Sequence, residues 1–266
     1  MPHQQKHSGF SLLELILVVV LLGVLASGAG LLISTPIEAY NDQLRRQQLV
    51  DQAEMALRLI ARDVRRALPN SLRVSGDALE MINTVDGARY RDEVGGAQIL
   101  ANDWLDFTIA DSQFNILGQF HVLTDGNYPN YQLVIYNTAA STVYDDLANS
   151  NDPGIATPDG TSIGVALDGD EHKVTLSTAF QFTQQSPGQR AFIVDGPISY
   201  ICDTGARTLM RYSGYVYTVP QPVVAPATGV SGPVVTQLSA CSINYDQGTA
   251  QRAGMVTLAI TVDDVE

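Results

Sequence analysis

Few side chains in this sequence have the types and spacing needed for catalysis. Two histidines, His121 and His172, lie outside the first nine residues, and imidazole is well suited to proton transfer near neutral pH. A hydrolase would combine one of them with a nucleophile and a carboxylate, but no serine occupies a GxSxG motif. No glycine-rich phosphate loop follows a strand-like segment. We therefore predict that the protein is not an enzyme and uses no cofactor.

Two stretches, ALDGDEH (166–172) and NSNDPG (149–154), concentrate the oxygen ligands that calcium prefers. Neither has the acidic ligands, central glycine and closing glutamate of an EF-hand. Solvated turns rich in aspartate and glycine explain such stretches more simply. We predict no metal site, with Asp168, Asp170 and Glu171 as weak candidates for calcium ligands.

Four tyrosines form another group, at Tyr200, Tyr212, Tyr215 and Tyr217. Their rings could stack on a sugar or pack within a sheet, and the sequence leaves both interpretations open.

The two cysteines, Cys202 and Cys241, both lie in the C-terminal third of the chain. Behind a membrane or export segment, a lone pair indicates one disulfide formed in an oxidising compartment. Two reduced, buried cysteines are the alternative. A disulfide closing this loop would stabilise the fold by roughly 3–4 kcal/mol on the chain-entropy model.

The acidic charge of the chain is concentrated after residue 68. Residues 1–68 carry seven basic and six acidic side chains, whereas residues 69–266 carry eight basic and 22 acidic ones. Phosphate backbones require a basic footprint, so nucleic acid is excluded as the target of the acidic part.

An apolar run from Phe10 to about Ile33 is long enough to span a bilayer as a helix, which takes about 20 residues. Lys6 precedes the run and would keep that end in the cytoplasm. Glu14 is the one charged residue inside the run, where a carboxylate is costly. An export signal cut near Ala26 and Gly28 is the alternative.

Helical periodicity continues after Pro36, which is expected to kink a single long helix. An arginine-rich surface, including the i,i+4 pair of Glu54 with Arg58, is expected to be a solvated face that also holds Asp63. Pro69 is expected to end the helix. One apolar stripe, predicted to pack on a sheet, consists of Leu49, Ala53, Leu57, Ile60, Val64 and Leu68.

Beyond Leu72 the apolar residues recur with a period of two, which predicts strands. The segments 148–170 and 220–233 are rich in turn residues and are predicted to be loops. The predicted strands are 104–110, 131–137, 173–182, 191–196, 198–202, 208–219 and 254–264.

The stretch KHSGFSLLELILVVVLLGVL (6–25) resembles the class III signal of type IV pilins and pseudopilins. That signal combines a short basic leader, a glycine, a phenylalanine and a glutamate at the fifth position of the mature chain. The resemblance implies that a prepilin peptidase cuts between Gly9 and Phe10 and N-methylates the new Phe10 amine. It further implies that Glu14 meets the terminal amine of a neighbouring subunit, which would recruit and align subunits during assembly.

Two later segments, ISYICDTGARTLMRYSGYVY (198–217) and LSACSINYDQGTAQRAGMVTLAITV (238–262), are similar to minor pilins of the mannose-sensitive haemagglutinin (MSHA) type. The resemblance implies an α+β, pilin-like fold in which a long N-terminal helix packs on a large antiparallel β-rich head. Its parts would be a leader (1–9), a transmembrane and filament-core helix (10–36), an amphipathic helix (37–68) and a periplasmic head (69–266).

The resemblance also implies a place in the cell and a set of partners. The protein would cross the inner membrane once and enter the pilus on assembly. Its partners would be the prepilin peptidase, other minor pilins, the major pilin and the inner-membrane assembly platform. The alternatives are a minor pseudopilin of type II secretion, a membrane-tethered adhesin that binds sugar or calcium, and an exported enzyme.

Overall fold

The computed structural model describes residues 9, 11–93, 104–248, 252 and 254–264, without the side chains of residues 28–36. The chain divides into two compact units, Met1–Asp51 and Gln52–Glu266. Residues 52–68, the later part of the predicted amphipathic helix, belong to the second unit, and the predicted division into a leader, two helical parts and a head stays a prediction. The described residues form an α+β structure, with two helices and antiparallel sheets.

Helix α1 extends over Leu12–Arg65, three residues short of the predicted end. Its end is set by pairing with a strand, because the Leu68 N–H donates to the Ile82 carbonyl at 2.8 Å. The Thr84 N–H likewise donates to the Arg66 carbonyl at 2.9 Å. The helix is continuous through residue 36. The kink at Pro36 stays a prediction, because the side chain of residue 36 is not among those that the structure describes.

A six-stranded antiparallel sheet forms the centre of the second unit. Its longest strand, β8 (Arg190–Asp203), pairs with β2 (Ala78–Arg89) on one side over residues 190–201, with two shifts of register. On its other side, residues 191–194 pair with β5 and residues 198–203 pair with β9. The strands are β1 (Arg73–Ser75), β2 (Ala78–Arg89), β5 (Gln132–Ile135), β8 (Arg190–Asp203), β9 (Thr208–Ser213) and β10 (Val230–Val235).

Two smaller antiparallel sheets and a short helix complete this unit. The four-stranded sheet has the order β3-β7-β6-β4, and β11 pairs with β12 as a two-stranded sheet. The elements are β3 (Asp111–Asn115), β4 (Gly126–Tyr128), α2 (Ala140–Asn149), β6 (Ile163–Asp168), β7 (Glu171–Phe180), β11 (Leu238–Asp246) and β12 (Met255–Val262).

The C-terminal part of α1 packs on the large sheet and the β11–β12 hairpin in one apolar cluster. Ala56 and Ile60 are buried there, but Leu57, predicted to lie on the packing stripe, is 43% exposed. The face of α1 that contacts the sheet is therefore rotated from the predicted stripe toward Ala56. The small side chain of Ala56 permits close approach of the helix to the sheet. Asp63, expected on the solvated face, is 4% exposed and lies on the buried side. The expected Glu54–Arg58 ion pair is present, with an N–O distance of 2.6 Å.

A disulfide between Cys202 on β8 and Cys241 on β11 joins the large sheet to the hairpin. Both cysteines border the apolar cluster that also receives α1. The covalent link and the helix therefore hold the same part of the second unit together.

Several sequence-based assignments were wrong. Residues 104–110 form no strand, because the Asp106 side chain accepts hydrogen bonds from the Thr108 N–H at 2.7 Å and from its hydroxyl. Such local bonds compete with strand pairing. The predicted loop 148–170 contains β6, and the predicted loop 220–233 includes the start of β10.

Candidate processing and assembly site

Gly9 is exposed, and an added Cβ at this position would have no neighbouring atom within 4 Å. The peptide bond that follows it is therefore not covered on the Gly9 side by the described part of the chain. Phe10, the predicted site of cleavage and methylation, lies outside the described residues.

Ser11 precedes the first turn of α1 and caps it. Its hydroxyl oxygen accepts a hydrogen bond from the Glu14 backbone N–H at 3.2 Å. This satisfies one of the N–H groups that a helix start leaves unpaired. Ser11 and Glu14 have the S-x-x-E spacing of a capping box, a sequence signal that is recognised only when Glu14 is considered together with Ser11. Glu14 thus occupies the third helical position, where the helix dipole favours a carboxylate.

No other part of the described chain packs on residues 11–27, the N-terminal part of α1 and the residue before it. Every residue from 11 to 27 is exposed in the described chain, and Glu14 is the charged one among them. The large apolar side chains have exposures of 43–77% and point to all sides of the helix; they are Leu12, Leu13, Leu15, Ile16, Leu17, Val18, Val19, Val20, Leu21, Leu22, Val24 and Leu25. An apolar surface of this extent marks a site of contact with lipid or with other protein chains.

No helix in the described part of the chain meets the length and hydropathy required for a membrane span. The predicted span over residues 10–33 includes Phe10 and the side chains of 28–33, which lie outside the description. The membrane span therefore stays a prediction.

The weak calcium candidates occupy the turn between β6 and β7. Glu171 forms an ion pair with Arg91, and one Asn115 amide nitrogen contacts Asp168 at 3.2 Å and Glu171 at 3.4 Å. Two of the three carboxylates therefore already have protein partners. Within the described ranges, no group of three acidic, histidine or cysteine residues could hold a metal ion.

The two histidines, His121 and His172, are not arranged with a nucleophile as a hydrolase would require. His172 is buried, and its Nδ1 accepts a hydrogen bond from the Phe120 N–H at 3.1 Å. His121 is exposed. Neither forms a described hydrogen bond to a serine, threonine or cysteine side chain, so the geometry offers no catalytic triad among the described residues.

Of the four tyrosines whose rings could stack on a sugar or pack within a sheet, Tyr200 and Tyr215 are buried and Tyr217 packs against an apolar cluster. Tyr200 is fully buried, and its hydroxyl donates to the Asp63 carboxylate at 2.7 Å. Arg211 on β9 donates to the same Asp63 oxygen at 2.8 Å. Burial tends to raise the pKa of Asp63, but the hydrogen bonds from Tyr200 and Arg211 outweigh it and lower the pKa. A buried charge network therefore ties α1 to β8 and β9.

A second buried carboxylate, Glu80 on β2, holds the segment after β9. It accepts a hydrogen bond from the Tyr215 hydroxyl at 2.7 Å and one from Arg73 at 2.6 Å. Arg73 also donates to the carbonyls of Thr218 and Val219. Burial raises the pKa of Glu80, although Arg73 and Tyr215 oppose the effect.

Comparison with known proteins adds one match. Residues 4–30 match the family of the prokaryotic N-terminal methylation motif. No curated protein and no solved structure matches the chain significantly. The motif supports a type IV pilin-like or pseudopilin-like protein that is processed by prepilin peptidase and assembles with other pilins.

Proposed function

We propose that the protein is a non-enzymatic minor pilin that takes part in assembling an MSHA-type pilus, similar to the biogenesis protein MshO of that system. The observation that carries the proposal is the first part of α1. It is an uncovered apolar helix with one carboxylate, Glu14, in its capped first turn, and it begins three residues after the exposed Gly9.

Processing accounts for the exposed glycine at position 9. The proposed prepilin peptidase cut lies between Gly9 and Phe10, followed by N-methylation of Phe10. The new amine would then lie four residues before Glu14, at the start of the same helix. The chain would be held in the inner membrane by residues 10–36 until assembly, with the second unit in the periplasm.

Burial of the apolar surface accounts for assembly. Residues 12–25 would be covered by lipid before assembly and by the helices of other subunits afterwards. Glu14 would enter this apolar surrounding as a charge, which costs ~2.5–3.5 kcal/mol near a bilayer centre. An opposite charge within hydrogen-bond reach offsets such a cost, and the Phe10 amine of a neighbouring subunit would supply it.

The size of the second unit supports a low copy number, since a head of this size would crowd a repeated lattice. Other minor pilins, the major pilin and the assembly platform are the proposed partners. A pseudopilin of type II secretion shares the same N-terminal signal, and the set of pilins that co-purifies with the chain would separate the two machines.

Processing is tested by intact mass and N-terminal peptide spectra of the chain from membranes of a cell with a prepilin peptidase. We expect a chain beginning at N-methylated Phe10. Gly9→Val should block the cut without disturbing the fold, because a side chain at position 9 meets no neighbour within 4 Å. Gly23→Ala, also in open space, is the matched control and should be processed normally. A chain beginning near Ala29, or retaining Met1, would overturn the proposal.

The role of Glu14 is tested by comparing incorporation into filaments. Glu14→Ala should leave processing and membrane attachment intact and reduce incorporation. Glu38→Ala removes an exposed glutamate from the same helix and should incorporate as the wild type does. Normal incorporation of Glu14→Ala would eliminate the pairing with the neighbouring amine.

A further inference from the structure

Strand β12 has an open edge without the usual protection. Among the described strands it pairs with β11 only, and β11 in turn contacts β1 and β8 of the large sheet. The other strands that lie at sheet edges are three to six residues long, and β10, the longest of these, contains Pro233. Strand β12 has eight residues, with no proline and no charged side chain. Short length, proline and charge are common means of keeping an edge strand from pairing with another chain, and β12 has none of them.

The backbone groups on the open side of β12 belong to its even-numbered residues. The Asp263 N–H donates to the Gln237 carbonyl at 3.1 Å, and the Thr261 carbonyl accepts from the Ser239 hydroxyl at 3.2 Å. Because successive residues of a strand direct these groups to opposite sides, the odd-numbered residues face β11. The residues that direct their N–H and C=O groups away from β11 are Val256, Leu258, Ile260 and Val262. No hydrogen bond within the described part of the chain reaches these groups, so they form a template for a further strand.

The sequence of β12 is complementary to itself. The segment VTLAITV (256–262) reads almost the same in both directions, with Ala259 at its centre. When two copies of this strand pair antiparallel about Ala259, each side chain lies opposite an identical or isomeric one. The pairs are Val256 with Val262, Thr257 with Thr261, Leu258 with Ile260, and Ala259 with itself. A symmetric dimer requires such a self-complementary surface, and threonine pairs and pairs of β-branched residues stabilise neighbouring strands.

The charges beside β12 are complementary in the same arrangement. Arg252 precedes the strand, and Asp263 and Asp264 follow it. Antiparallel pairing about Ala259 brings the Arg252 end of each copy alongside the Asp263–Asp264 end of the other, so opposite charges meet at both ends of the interface. A chain with a net charge of −13 repels its own copies in general. The uncharged strand with its complementary ends therefore favours a second copy at this edge.

We propose that two copies of the chain associate through β12, with the two strands antiparallel about a twofold axis at Ala259. Val256 then pairs with Val262 of the second copy, and Leu258 with Ile260, which gives about eight hydrogen bonds between the strands. The side chains of these four residues already border the apolar cluster that receives α1, so the pairing extends an apolar layer. The strand edge covers less than the roughly 800 Å² per partner of a standard interface. The dimer is therefore weak and forms at high local concentration.

Cysteine cross-linking of the concentrated full-length chain in a nonionic detergent tests the proposal. The two native cysteines are joined in a disulfide, so an introduced cysteine is the single free thiol. Ala259 is exposed and would lie opposite itself in a non-hydrogen-bonded pair, where Cα atoms are about 4.5 Å apart, a distance that a disulfide spans. We expect Ala259→Cys to form a disulfide-linked dimer under mild oxidation. Absence of this dimer would refute the pairing of two copies.

Two exposed threonines on the same face provide matched controls for the register. Thr257 would lie opposite Thr261 of the second copy, so the two Thr257 positions would be about 14 Å apart at about 3.4 Å per residue. Thr257→Cys and Thr261→Cys should each form no dimer alone, whereas an equal mixture of the two variants should form one. If either variant alone gave as much dimer as Ala259→Cys, the cross-links would come from random collision and the proposal would be overturned.

Charges introduced beside the Ala259→Cys thiol test the same register by repulsion. Thr257→Lys with Thr261→Lys places lysine opposite lysine across the interface, so the cross-link should be lost. Thr257→Lys with Thr261→Glu changes the same two exposed positions but places lysine opposite glutamate, so the cross-link should be retained. Neighbouring lysines favour the reactive thiolate, so a loss in the first variant cannot come from a less reactive thiol. Equal cross-linking of the two variants would contradict the proposal.

Discussion

Replacing Asp63 by alanine should destabilise the second unit far more than its position on an arginine-rich helix suggests. The side chain is 4% exposed and accepts hydrogen bonds from Tyr200 at 2.7 Å and from Arg211 at 2.8 Å. These bonds join α1 to two strands of the large sheet that are more than a hundred residues away in sequence. Removal of Asp63 would leave the buried Tyr200 hydroxyl without its acceptor and Arg211 without its counter-charge.

The magnitude follows from the burial of the partners. Breaking a fully buried ion pair costs about 3–5 kcal/mol, because the remaining charge stays desolvated. The side chain of Arg211 is 27% exposed, so water compensates part of that cost. The unpaired Tyr200 hydroxyl adds about 1–3 kcal/mol. We expect Asp63→Ala to lower the free energy of unfolding by about 3 kcal/mol, within these ranges.

Urea unfolding of the full-length chain in a nonionic detergent, followed by the fluorescence of Trp104, provides the measurement; Trp104 is the single tryptophan of the sequence. Glu54→Ala is the matched control on the same helix, because Glu54 pairs with Arg58 in solvent. An exposed helical pair of this kind contributes about 0.3–0.5 kcal/mol. If Asp63→Ala cost no more than Glu54→Ala, the network would not stabilise the fold and the reasoning would be wrong.

Three further predictions follow from the same unit. The pKa of Asp63 is lower in the folded chain than its ordinary value, so its stabilising effect is present above about pH 4 and is lost as the pH falls through the folded value. Unfolding free energy measured against pH should therefore fall less steeply in acid for Asp63→Asn, and parallel profiles would contradict this. Gly229→Ala should lower the melting temperature, because φ is +97° and the added Cβ would lie 2.5 Å from a backbone oxygen; Gly232→Ala meets no neighbour within 4 Å and should melt higher than Gly229→Ala. The double variant Cys202→Ala/Cys241→Ala should lose roughly 3–4 kcal/mol and become insensitive to reductant, and a reductant effect in the variant would contradict the assignment.

The elements that could be predicted from the sequence are those with one clear periodicity. Strand β12 alternates between exposed and half-buried residues along its whole length, and the sequence shows the same alternation. Strand β2 was missed, because its first five residues are all buried. Leu79 and Met81 pack in the cluster that receives α1, while Ile82 packs in another cluster with α2. A strand buried on both faces shows no alternation by which it could be recognised.

Two predicted strands, 191–196 and 198–202, proved to be one strand, β8. Pro197 lies between the two predicted strands. It lacks a backbone N–H, a property that disfavours the middle of a central strand. In the described sheet, however, pairing with β5 ends at Val194 and pairing with β9 begins at Ile198. The proline therefore occupies a stretch where β8 has a described partner on one side only. Sequence periodicity carries no information about where one neighbouring strand replaces another.

A functional position could be predicted from the sequence only where its residues lie close together in a recognisable motif. Gly9, Phe10 and Glu14 lie within six residues, and the match to residues 4–30 covers them. The network residues Asp63 and Arg211 are separated by more than a hundred residues and belong to no motif. Only the fold brings them together, so no spacing rule could have identified them.

The position of Glu14 in a capped first turn bears directly on why a carboxylate persists in an apolar helix. The helix dipole at this position stabilises a carboxylate by about 0.3–1 kcal/mol at an exposed surface. At the centre of a bilayer a carboxylate costs ~2.5–3.5 kcal/mol, and near the end of a span, where Glu14 lies, the cost is lower. The capped helix start offsets only part of the cost of a carboxylate that is fully removed from water, and a positive charge from outside the helix would offset the rest. This difference makes Glu14→Gln the most informative variant, because the amide retains the length of the side chain and its capacity to accept a hydrogen bond from the Ser11 N–H. If the capping hydrogen bond at the helix start were the reason for Glu14, Glu14→Gln would incorporate into filaments normally, whereas pairing with a neighbouring amine predicts that it incorporates as poorly as Glu14→Ala.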